Sequence, residues 1–531
     1  MPDERTQDGP RVMSRRAKLL AAGVVVAAAV AVAACFVKRG TSVDPGAAND
    51  GKANQRLFHD WPKPDLVVVV SGQEHGYLDP CGCSRPQIGG LVRRYNFIEG
   101  LKARGWPVLA VDAGDIAQRR GPAGLPNVQG LIKYRYAMEA LKRMGYSAVT
   151  VGEYEAAMTL QTVLAEFALN NPVPTVLVAN LVDRDQNFPE QQAAWKVETI
   201  KGTDLKVGMV GVVGPSVAHK IKEFNERVVA FPDGSVAKAL KAAIAEMDAK
   251  NKPDLRILLY QGQPEEARAC AKAFPKTFPV IVCISTFDEP PSNAEIVKEA
   301  GTIIVTVGHK GKYVGAVGVN RTGRDDPKFE LRYQLVRLEE EYLTPEGKEK
   351  GHPIMDLLEE YTKELKRDNY LAKYRPTKLP VQVDKPANQM PTYIGSEDKR
   401  CVQCHAYAYE VWVKSDHARA YETLVKKKHP SNRQYDGECI VCHTVGFGYE
   451  SGFRNEKDTP KLINVGCESC HGPASQHAKN PNNAELRATL NPWKGDAKRI
   501  EMDLCVKCHD PDNDVHWSFD KWKKIVHKTP E

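Results

Sequence analysis

Cys401-Val402-Gln403-Cys404-His405 opens a C-terminal stretch in which one five-residue pattern occurs four times. Each copy reads C-x-x-C-H, so two thiols are spaced to form thioethers with the vinyl groups of a haem, and a histidine follows to bind its iron. Pairs of zinc-binding cysteines are the alternative, but zinc needs no histidine after every second cysteine. The stretch from Cys401 to His509 therefore predicts four covalently attached haem c groups.

The residues that would hold these haems follow from the four motifs. The thioether positions are Cys401, Cys404, Cys439, Cys442, Cys467, Cys470, Cys505 and Cys508. The proximal iron ligands are His405, His443, His471 and His509. Each iron also needs a sixth ligand, and we predict His417 and His477 as distal ligands. Three further histidines are either ligands or solvated surface residues: His429, His516 and His527.

Composition sets the class of protein. The chain has 531 residues, of which 27% are charged and 42% hydrophobic, so it is globular and long enough for two to four domains. The formal net charge of +7 is small for this length, and no stripe of Lys and Arg with interleaved aromatic residues is present. We therefore expect no nucleic-acid partner.

The N-terminus carries an export signal or membrane anchor, predicted over residues 1–40. Arg15, Arg16 and Lys18 precede an uncharged apolar run from Leu19 to Val37, close to the roughly 20 residues that span a bilayer. Because haem is attached to such motifs outside the cytoplasmic membrane, we expect a single uncleaved anchor that leaves the chain on the periplasmic face. Lipidation at Cys35 after cleavage and ordinary signal cleavage are the alternatives.

A polar linker over residues 41–64 leads into a predicted α/β domain over residues 65–335. The run from Asp65 to Val70 is led by β-branched residues, as in a strand buried on both faces. Similar runs recur and alternate with helix-like segments, which predicts a largely parallel sheet with functional residues on loops beyond the carboxyl ends of its strands. The further predicted strands are Val108–Val111, Ala148–Val151, Thr175–Val178, Val207–Val213, Leu255–Leu259, Val280–Cys283 and Thr302–Val307.

The loops after these strands resemble the metallophosphoesterase domain of the 5′-nucleotidase family. The resemblance rests on His75, Gly114-Asp115, Gly152-Glu153-Tyr154-Glu155 and the segment from Thr302 to Gly315. It implies a four-layer αββα sandwich whose loops supply Asp, His and Asn ligands to two metal ions that activate water for phosphoester hydrolysis. The bridging carboxylate of the family is matched by Asp115.

Departures from the family pattern predict that hydrolysis is lost. Gln73 stands where the family has an aspartate ligand, and Glu153-Tyr154 replaces the Asn ligand and the catalytic histidine. No histidine occurs at Tyr260–Gly262 or Cys283–Thr286, where the later ligands would fall. The domain is therefore predicted to be a degenerate metallophosphoesterase module.

Two cysteines near these loops raise the question of a different metal site. A candidate second site for one non-haem metal ion consists of His75, Cys81, Cys83, Asp115 and Glu153. The alternatives are a Cys81–Cys83 bridge, a disulfide from either residue to Cys270 or Cys283, or simply small buried side chains.

Residues 336–392 are predicted to form a charged helical spacer followed by a proline-rich crossing. Apolar residues at three- and four-residue spacing indicate that one helix face packs on a neighbouring domain. A coiled-coil dimer seam is the alternative, although Pro345, Gly347, Gly351 and Pro353 interrupt the run.

Residues 393–531 resemble the tetrahaem cytochrome c-554 family beyond the attachment motifs alone. The resemblance rests on Trp412, the segment from Ser415 to Ala418, the segment from Cys442 to Gly448 and the segment from Val465 to Pro473. It implies a mostly α-helical multihaem domain with paired haems, and electron transfer between redox protein partners. In that family one haem lacks a strong sixth ligand.

These observations predict a membrane-tethered periplasmic tetrahaem c-type cytochrome that carries electrons and retains a degenerate metallophosphoesterase-like domain. Two other functions stay open from sequence. One is an enzyme, hydrolase or redox, that uses a remodelled metal site in the N-terminal domain. The other is a haem-based oxidoreductase that acts on a small nitrogen or sulfur compound.

Overall fold

The computed structural model describes residues 57–82, 84–184, 192–225, 229–232, 235–379, 382, 386–491 and 493–526, all within one compact unit. The predicted anchor, most of the predicted linker, and Cys35, Cys83 and His527 lie outside the described residues. Within those described, no helix has both the length and the apolar character needed to cross a membrane.

Two six-stranded sheets form the N-terminal domain. In the first sheet the strand order is β14-β13-β1-β2-β3-β4, and in the second it is β11-β12-β10-β9-β7-β6. The first sheet contains Leu66–Ser71 (β1), Val108–Asp112 (β2), Tyr146–Val149 (β3), Thr175–Val176 (β4), Tyr313–Arg321 (β13) and Phe329–Arg337 (β14). The second contains Trp195–Thr199 (β6), Lys206–Val213 (β7), Leu255–Gln261 (β9), Val280–Cys283 (β10), Glu295–Val297 (β11) and Thr302–Thr306 (β12). Val182–Asp183 (β5) and Val229–Ala230 (β8) pair separately.

The sheets pack face to face because alternate residues along each strand point to opposite sides. Met209 and Val282 of the second sheet join one large core with the first sheet, whereas Val210 and Ile281 join a second core. Helices cover the outer faces: Leu91–Ala103 (α1) and Gly130–Met144 (α2) contribute to the first core, and Val236–Lys250 (α6) and Pro264–Ala273 (α7) to the second. The domain is thus the four-layer αββα sandwich that the sequence predicted.

Parallel pairing in the centre of each sheet brings strand ends together. In the first sheet β1 pairs in parallel with β2, and Ser71 lies level with Asp112. In the second sheet β10 pairs in parallel with β9, and Cys283 lies level with Tyr260. The loops that follow these four strands therefore meet at one edge of the sandwich, as expected for an α/β domain.

The outer strands differ from the prediction. Strands β13 and β14 are antiparallel, as is the β6–β7 pair, so both sheets are mixed rather than largely parallel. Strand β14 continues to Arg337, two residues beyond the predicted domain boundary at 335, and a 3₁₀ turn follows at Glu340–Tyr342. The first α-helix in the charged stretch that begins at Val336 is therefore Pro353–Arg367 (α8).

Helix α8 packs on the α/β domain. Ile354, Leu357 and Tyr361 are buried in the core that α1 and α2 share with the first sheet. The described segment therefore acts as a helix that packs within the chain, in agreement with the predicted docking spacer.

Short helices and turns make up the C-terminal region. Its small core includes Tyr374, Ile440, Phe447 and Phe453. The remaining described helices are Glu153–Ala157 (α3), Leu160–Phe167 (α4), Pro215–Asn225 (α5), Tyr370–Lys373 (α9), Lys399–Cys404 (α10), Ala406–Val413 (α11), Ala420–Lys426 (α12), Gly437–His443 (α13), Cys467–His471 (α14), Ser475–Lys479 (α15), Ala484–Thr489 (α16), Ala497–Asp503 (α17) and Phe519–Val526 (α18). A core with few aliphatic residues is expected where porphyrins would supply apolar surface.

Candidate functional site

Each C-x-x-C-H motif lies on a short helical segment. The first three motifs occupy α10, α13 and α14 with their flanking residues, and the fourth begins on the 3₁₀ turn Cys505–Lys507. A helical turn places residues three apart on one side, so the two thiols of a motif face the same way. Side chains cap two of these helices: Asp398 accepts from the Arg400 backbone N–H and Asp436 from that of Glu438, each at 3.0 Å.

Three of the proximal histidines are oriented for metal binding by hydrogen bonds at Nδ1. His443 Nδ1 lies 2.5 Å from the Ala420 carbonyl oxygen, and His471 Nδ1 lies 2.9 Å from that of Leu490. His509 Nδ1 lies 2.8 Å from Asp514 Oδ2. A neutral imidazole that donates from Nδ1 presents the lone pair of Nε2 to a metal. The residues present therefore fit the iron of a haem c.

Two pairs of histidine rings face one another at a spacing that suits an iron between them. The ring centroids are 6.3 Å apart for His405 and His477, and 5.9 Å apart for His417 and His509. Metal–nitrogen bonds of about 2 Å on both sides of one ion separate two imidazole centres by roughly 6 Å. This spacing supports the distal roles predicted for His417 and His477.

Burial lowers the pKa of both predicted distal histidines. Burial, and then the neighbouring His509, lower the pKa of His417; burial, and then His405, lower that of His477. His477 Nδ1 is buried without a hydrogen-bond partner among the described residues. His429 and His516 are exposed, and His527 lies outside the described part of the chain.

The four motifs adjoin one another in the order first, third, fourth, second. Cys442 Sγ of the second motif donates to the Lys507 carbonyl oxygen of the fourth at 3.9 Å, so these two motifs are side by side. Burial, and then the Cys505 and Cys508 thiols of the fourth motif, raise the pKa of Cys470 in the third motif. Burial, and then Asp398, Glu468 and Cys467, the last from the third motif, raise the pKa of Cys401 in the first motif. These cysteines would therefore hold the haems of neighbouring motifs, and haem c supplies one-electron chemistry when bound.

The second motif is held against the α/β domain by polar contacts. Gln129, which is completely buried, donates from Nε2 to Asp436 at 2.9 Å and accepts from the Gly437 backbone N–H at 3.0 Å. Glu438 accepts from Gln118 at 2.7 Å and from Lys133 at 2.6 Å. The start of helix α13 is therefore bound to the loop and helix that precede strand β3.

The segment after the fourth motif also contacts this domain. Asp512 forms ion pairs with both Lys310 and Lys312. Its backbone oxygen accepts from Gln87 Nε2 at 2.9 Å, and the Ser84 hydroxyl donates to the Asn513 carbonyl at 3.0 Å. The haem region thus packs on the loops at the carboxyl ends of the strands, where a hydrolase of this fold would keep its metals.

Internal hydrogen bonds occupy the positions of the lost metal ligands. The Gln73 amide makes two bonds to the backbone of Ser285, donating to its oxygen at 2.9 Å and accepting from its N–H at 2.8 Å. Gln261 donates to the Ala113 carbonyl at 2.8 Å. Glu74 pairs with Arg94, both completely or almost completely buried. The Gln73 amide is satisfied by its two bonds, whereas Gln261 Oε1 and Glu74 Oε1 are buried without a hydrogen-bond partner among the described residues.

The retained carboxylates are likewise engaged within the protein. Asp115 Oδ1 accepts from the Tyr154 backbone N–H at 2.9 Å, and burial, then the charge of Glu155, raise the pKa of Asp115. Glu153 pairs with Arg119, and with Lys220 at 2.7 Å. Each carboxylate therefore already has partners inside the protein.

His75 and Cys81 face different neighbours. The His75 ring stacks on Tyr154 with centroids 4.3 Å apart, and burial, then the nearby His309, lower its pKa to about 3. Cys81 Sγ lies 3.8 Å from the Asn513 carbonyl oxygen in the haem region. Gln73, His75 and Asp115 have positive φ angles of 50°, 53° and 56°, and residues held in such sparsely populated backbone conformations cluster at functional sites.

The candidate second metal site is not assembled by its described members. In the part of the chain that the structure describes, no three His, Cys, Asp or Glu side chains form a group that could hold a metal ion. Cys83 lies outside that part. Cys270 and Cys283 are buried free thiols, so the alternative disulfide to either of them is wrong.

Sequence reasoning missed the residues that join the two domains. Gln129, Lys310 and Lys312 carry no motif, and their partners lie far away in the sequence. One signal was present: Asp436-Gly437-Glu438 immediately before the second motif is a typical start of a helix.

The fold and the four motifs define a c-type cytochrome region joined to a phosphoesterase-like α/β domain. Residues 400–472 match the family described as "Cytochrome c554 and c-prime". Cytochrome c-554 of Nitrosomonas europaea is 33% identical over 144 residues, which are 24% of this chain and 59% of that protein. The 5′-nucleotidase of Diplobatis ommata is 31% identical over 159 residues, which are 28% of this chain and 25% of that protein.

Among solved structures, the 5′-nucleotidase precursor from Thermus thermophilus aligns with 19% identity and a TM-score of 0.45, covering 57% of this chain and 59% of that one. The alignments with the two curated relatives span less than two thirds of either relative. The chain therefore joins a cytochrome c554-type domain, for which covalently bound haem c is implied, to a 5′-nucleotidase-like domain. Both predicted resemblances are confirmed.

Proposed function

We propose that the chain is a membrane-tethered, periplasmic tetrahaem cytochrome that passes electrons between redox protein partners. The observation that carries the proposal is the spacing of the His405–His477 and His417–His509 ring pairs, 6.3 Å and 5.9 Å, beside two of four attachment motifs. When bound, haem c supplies reversible one-electron chemistry at iron.

The chain's own residues would hold and space these groups. His443, His471 and His509 are oriented through Nδ1, and Cys442 of the second motif contacts Lys507 of the fourth. The four motifs follow one another in space in the order first, third, fourth, second, and this order supports a single electron path. One end of that path, the second motif, is packed against the α/β domain through Gln129 and Glu438.

We further propose that the α/β domain no longer hydrolyses phosphoesters. The amide of Gln73 replaces an aspartate ligand and is bound to Ser285, and the described carboxylates are paired internally. Rebuilding a metal site would require those bonds to break and several ligands to be added. The domain then serves as a platform for the haem region.

The membrane location is proposed from the basic residues and the apolar run at the N-terminus, together with the site where haem is attached to such motifs. Fractionation of cells that express the full chain tests this proposal. Recovery of haem-stained protein in washed membranes, sensitive to protease added outside the cytoplasmic membrane, is expected. Recovery in the soluble periplasmic fraction would contradict tethering.

The function itself is tested by metal analysis and redox titration of the purified full chain. Four irons per chain, all as covalent haem, and reversible one-electron reduction are expected. Fewer than four haems, or an absorbance that no mediator can titrate, would contradict the proposal. A further experiment adds carbon monoxide or nitric oxide and records the haem spectrum. A spectral shift, together with turnover of a small nitrogen or sulfur compound, would favour a haem-based oxidoreductase.

A further inference from the structure

A cluster of largely buried charges from both domains lies beside the second attachment motif. The Arg433 guanidinium donates to Cys439 Sγ from Nε at 3.2 Å and from Nη2 at 3.1 Å. The Arg433 side chain is only 14% exposed. Cys439 is the first thioether position of this motif, so the positive charge of Arg433 lies at the edge where the second haem would be attached.

The charges around Arg433 come from both domains. Asp436 lies on its own segment, with an oxygen 4.0 Å from Arg433 Nε. Asp79 lies on the loop after strand β1, and Gly82 of the same loop lies beside Lys427 Nζ of the haem region. Burial raises the pKa of Asp79, and the positive charges of Arg433, Arg93 and Lys427 lower it. Asp79 is packed against Gly90, at the start of helix α1 in the α/β domain. The α/β domain therefore places a carboxylate of its own within the electrostatic field of the second motif.

We propose that Arg433 raises the reduction potential of the haem attached at Cys439 and Cys442, and that Asp79 of the α/β domain opposes it. The inference rests on the proposed function, since it requires that this motif carries a haem. An oxidised haem has one more positive charge than a reduced haem, so a nearby buried cation favours reduction and a nearby anion favours oxidation. Low solvent exposure limits the screening of both effects by salt.

Arg433 is a positioning residue in this proposal because it acts through the haem and touches no substrate. Its contact with Cys439 rather than with solvent distinguishes it from the surface arginines of the same region. Asp79 gives the α/β domain a role beyond packing, because a movement of the loop that carries Asp79 would change the reduction potential of the haem at the second motif.

The test is a spectroelectrochemical titration of the full chain and of matched variants. For R433Q, the equilibrium constant for reducing one of the four haems should fall at least tenfold, equivalent to about 59 mV for a one-electron couple. D79N should move the same component in the opposite direction. R454Q, which removes an exposed arginine of the haem region, is the control and should shift no component comparably.

A further variant assigns the component. H443M changes the proximal ligand of the second haem and should raise its potential, because a methionine ligand raises the potential of haem iron. The component moved by H443M should be the one that R433Q and D79N move. If R433Q does not mature, two other variants still test the proposal. D79N alters the other domain, and R433K keeps the positive charge and should retain the wild-type potential.

Several outcomes would overturn the inference. R433Q with four intact haems and no component shifted beyond the R454Q control would exclude the role of Arg433. D79N with an unchanged titration would exclude the role of the α/β domain. A wild-type chain without covalent haem would instead contradict the proposed function, so the two failures are distinguishable.

Discussion

The Gln129 side-chain amide donates a hydrogen bond of 2.9 Å to Asp436, the residue that caps the helix of the second attachment motif. Gln129 belongs to the α/β domain, and its carbonyl oxygen accepts from the Gly437 backbone N–H and from the Tyr374 hydroxyl. One buried amide thus joins the α/β domain, the segment that crosses between domains, and the start of the haem-binding helix.

Replacement of Gln129 by leucine should destabilise this junction. Q129L removes a donor and an acceptor from buried partners, and an unsatisfied buried polar group costs about 1–3 kcal/mol. We expect the free energy of unfolding in urea to fall by roughly 2–4 kcal/mol in total. Q389L, at an exposed glutamine, is the matched control and should change it little. Equal stability of Q129L and wild type would show that the junction contributes nothing.

Loss of a distal histidine should convert one haem to high spin. H477A should affect the haem of the first motif and H417A that of the fourth, because their rings face His405 and His509 respectively. Electron paramagnetic resonance should show one new high-spin signal in each variant. H429A, at an exposed histidine, should leave the spectrum unchanged. A spectrum of H477A identical to that of the wild type would contradict the pairing with His405.

Glu468 should be a main source of stability around the third motif. It is 3% exposed and accepts from the backbone N–H groups of Ile394, Gly395 and Ala474 at 2.9, 2.7 and 2.8 Å. E468A leaves these donors without their partner, so we expect a loss of about 3 kcal/mol or more in urea unfolding. E485A, at an exposed glutamate, is the control. A loss below that of the control would contradict this role.

Asp512 should stabilise the docked haem region at neutral pH but not in acid. Burial by itself raises the pKa of Asp512, but hydrogen bonds from Lys310 and Lys312 outweigh burial and hold it below the ordinary value of 3.8. The contribution is therefore fully present above about pH 4 and is lost as the pH falls through the folded-state pKa. We expect D512N to lower the unfolding free energy by about 1–2 kcal/mol at pH 7.

The pH dependence provides the check on this ion pair. The difference between wild type and D512N should stay constant from pH 7 to about pH 5 and shrink below about pH 4. D503N, at a surface aspartate paired with Arg499, is the control and should show a much smaller difference at every pH. A difference that grows on acidification would show that Asp512 is not the stabilising charge.

Purified protein should show no phosphoesterase activity with added Mn²⁺ or Zn²⁺. Gln73 holds Ser285 through two hydrogen bonds, and Glu153 is paired with Arg119 and Lys220, so these positions do not present free metal ligands. Turnover of a generic phosphate ester above that of a Q73L variant would contradict this prediction. A stoichiometric non-haem metal that disappears in a C81S/C83S variant would revive the candidate second site.

Much of the architecture could be predicted because its signals are local. Buried parallel strands such as Leu66–Ser71 and Val280–Cys283 are continuous apolar runs, and each was predicted to within a residue at its ends. Strands β13 and β14 were not identified as strands, because they pair antiparallel near the sheet edge and contain glycines or alternating polar residues. The helix at Pro353–Arg367 was predicted by its apolar spacing, though the strand before it was missed.

The sequence by itself determined that this chain carries haem-attachment motifs and lacks the ligand set of a phosphoesterase, because both depend only on residue types at short spacing. Only the tertiary structure decided that His477 faces His405, that His417 faces His509, and that the haem region packs on the strand-end loops. These relationships join residues up to several hundred positions apart, such as Gln129 and Asp436. No local spacing encodes such a contact, because it depends on how both domains fold and on which buried polar groups must then find partners.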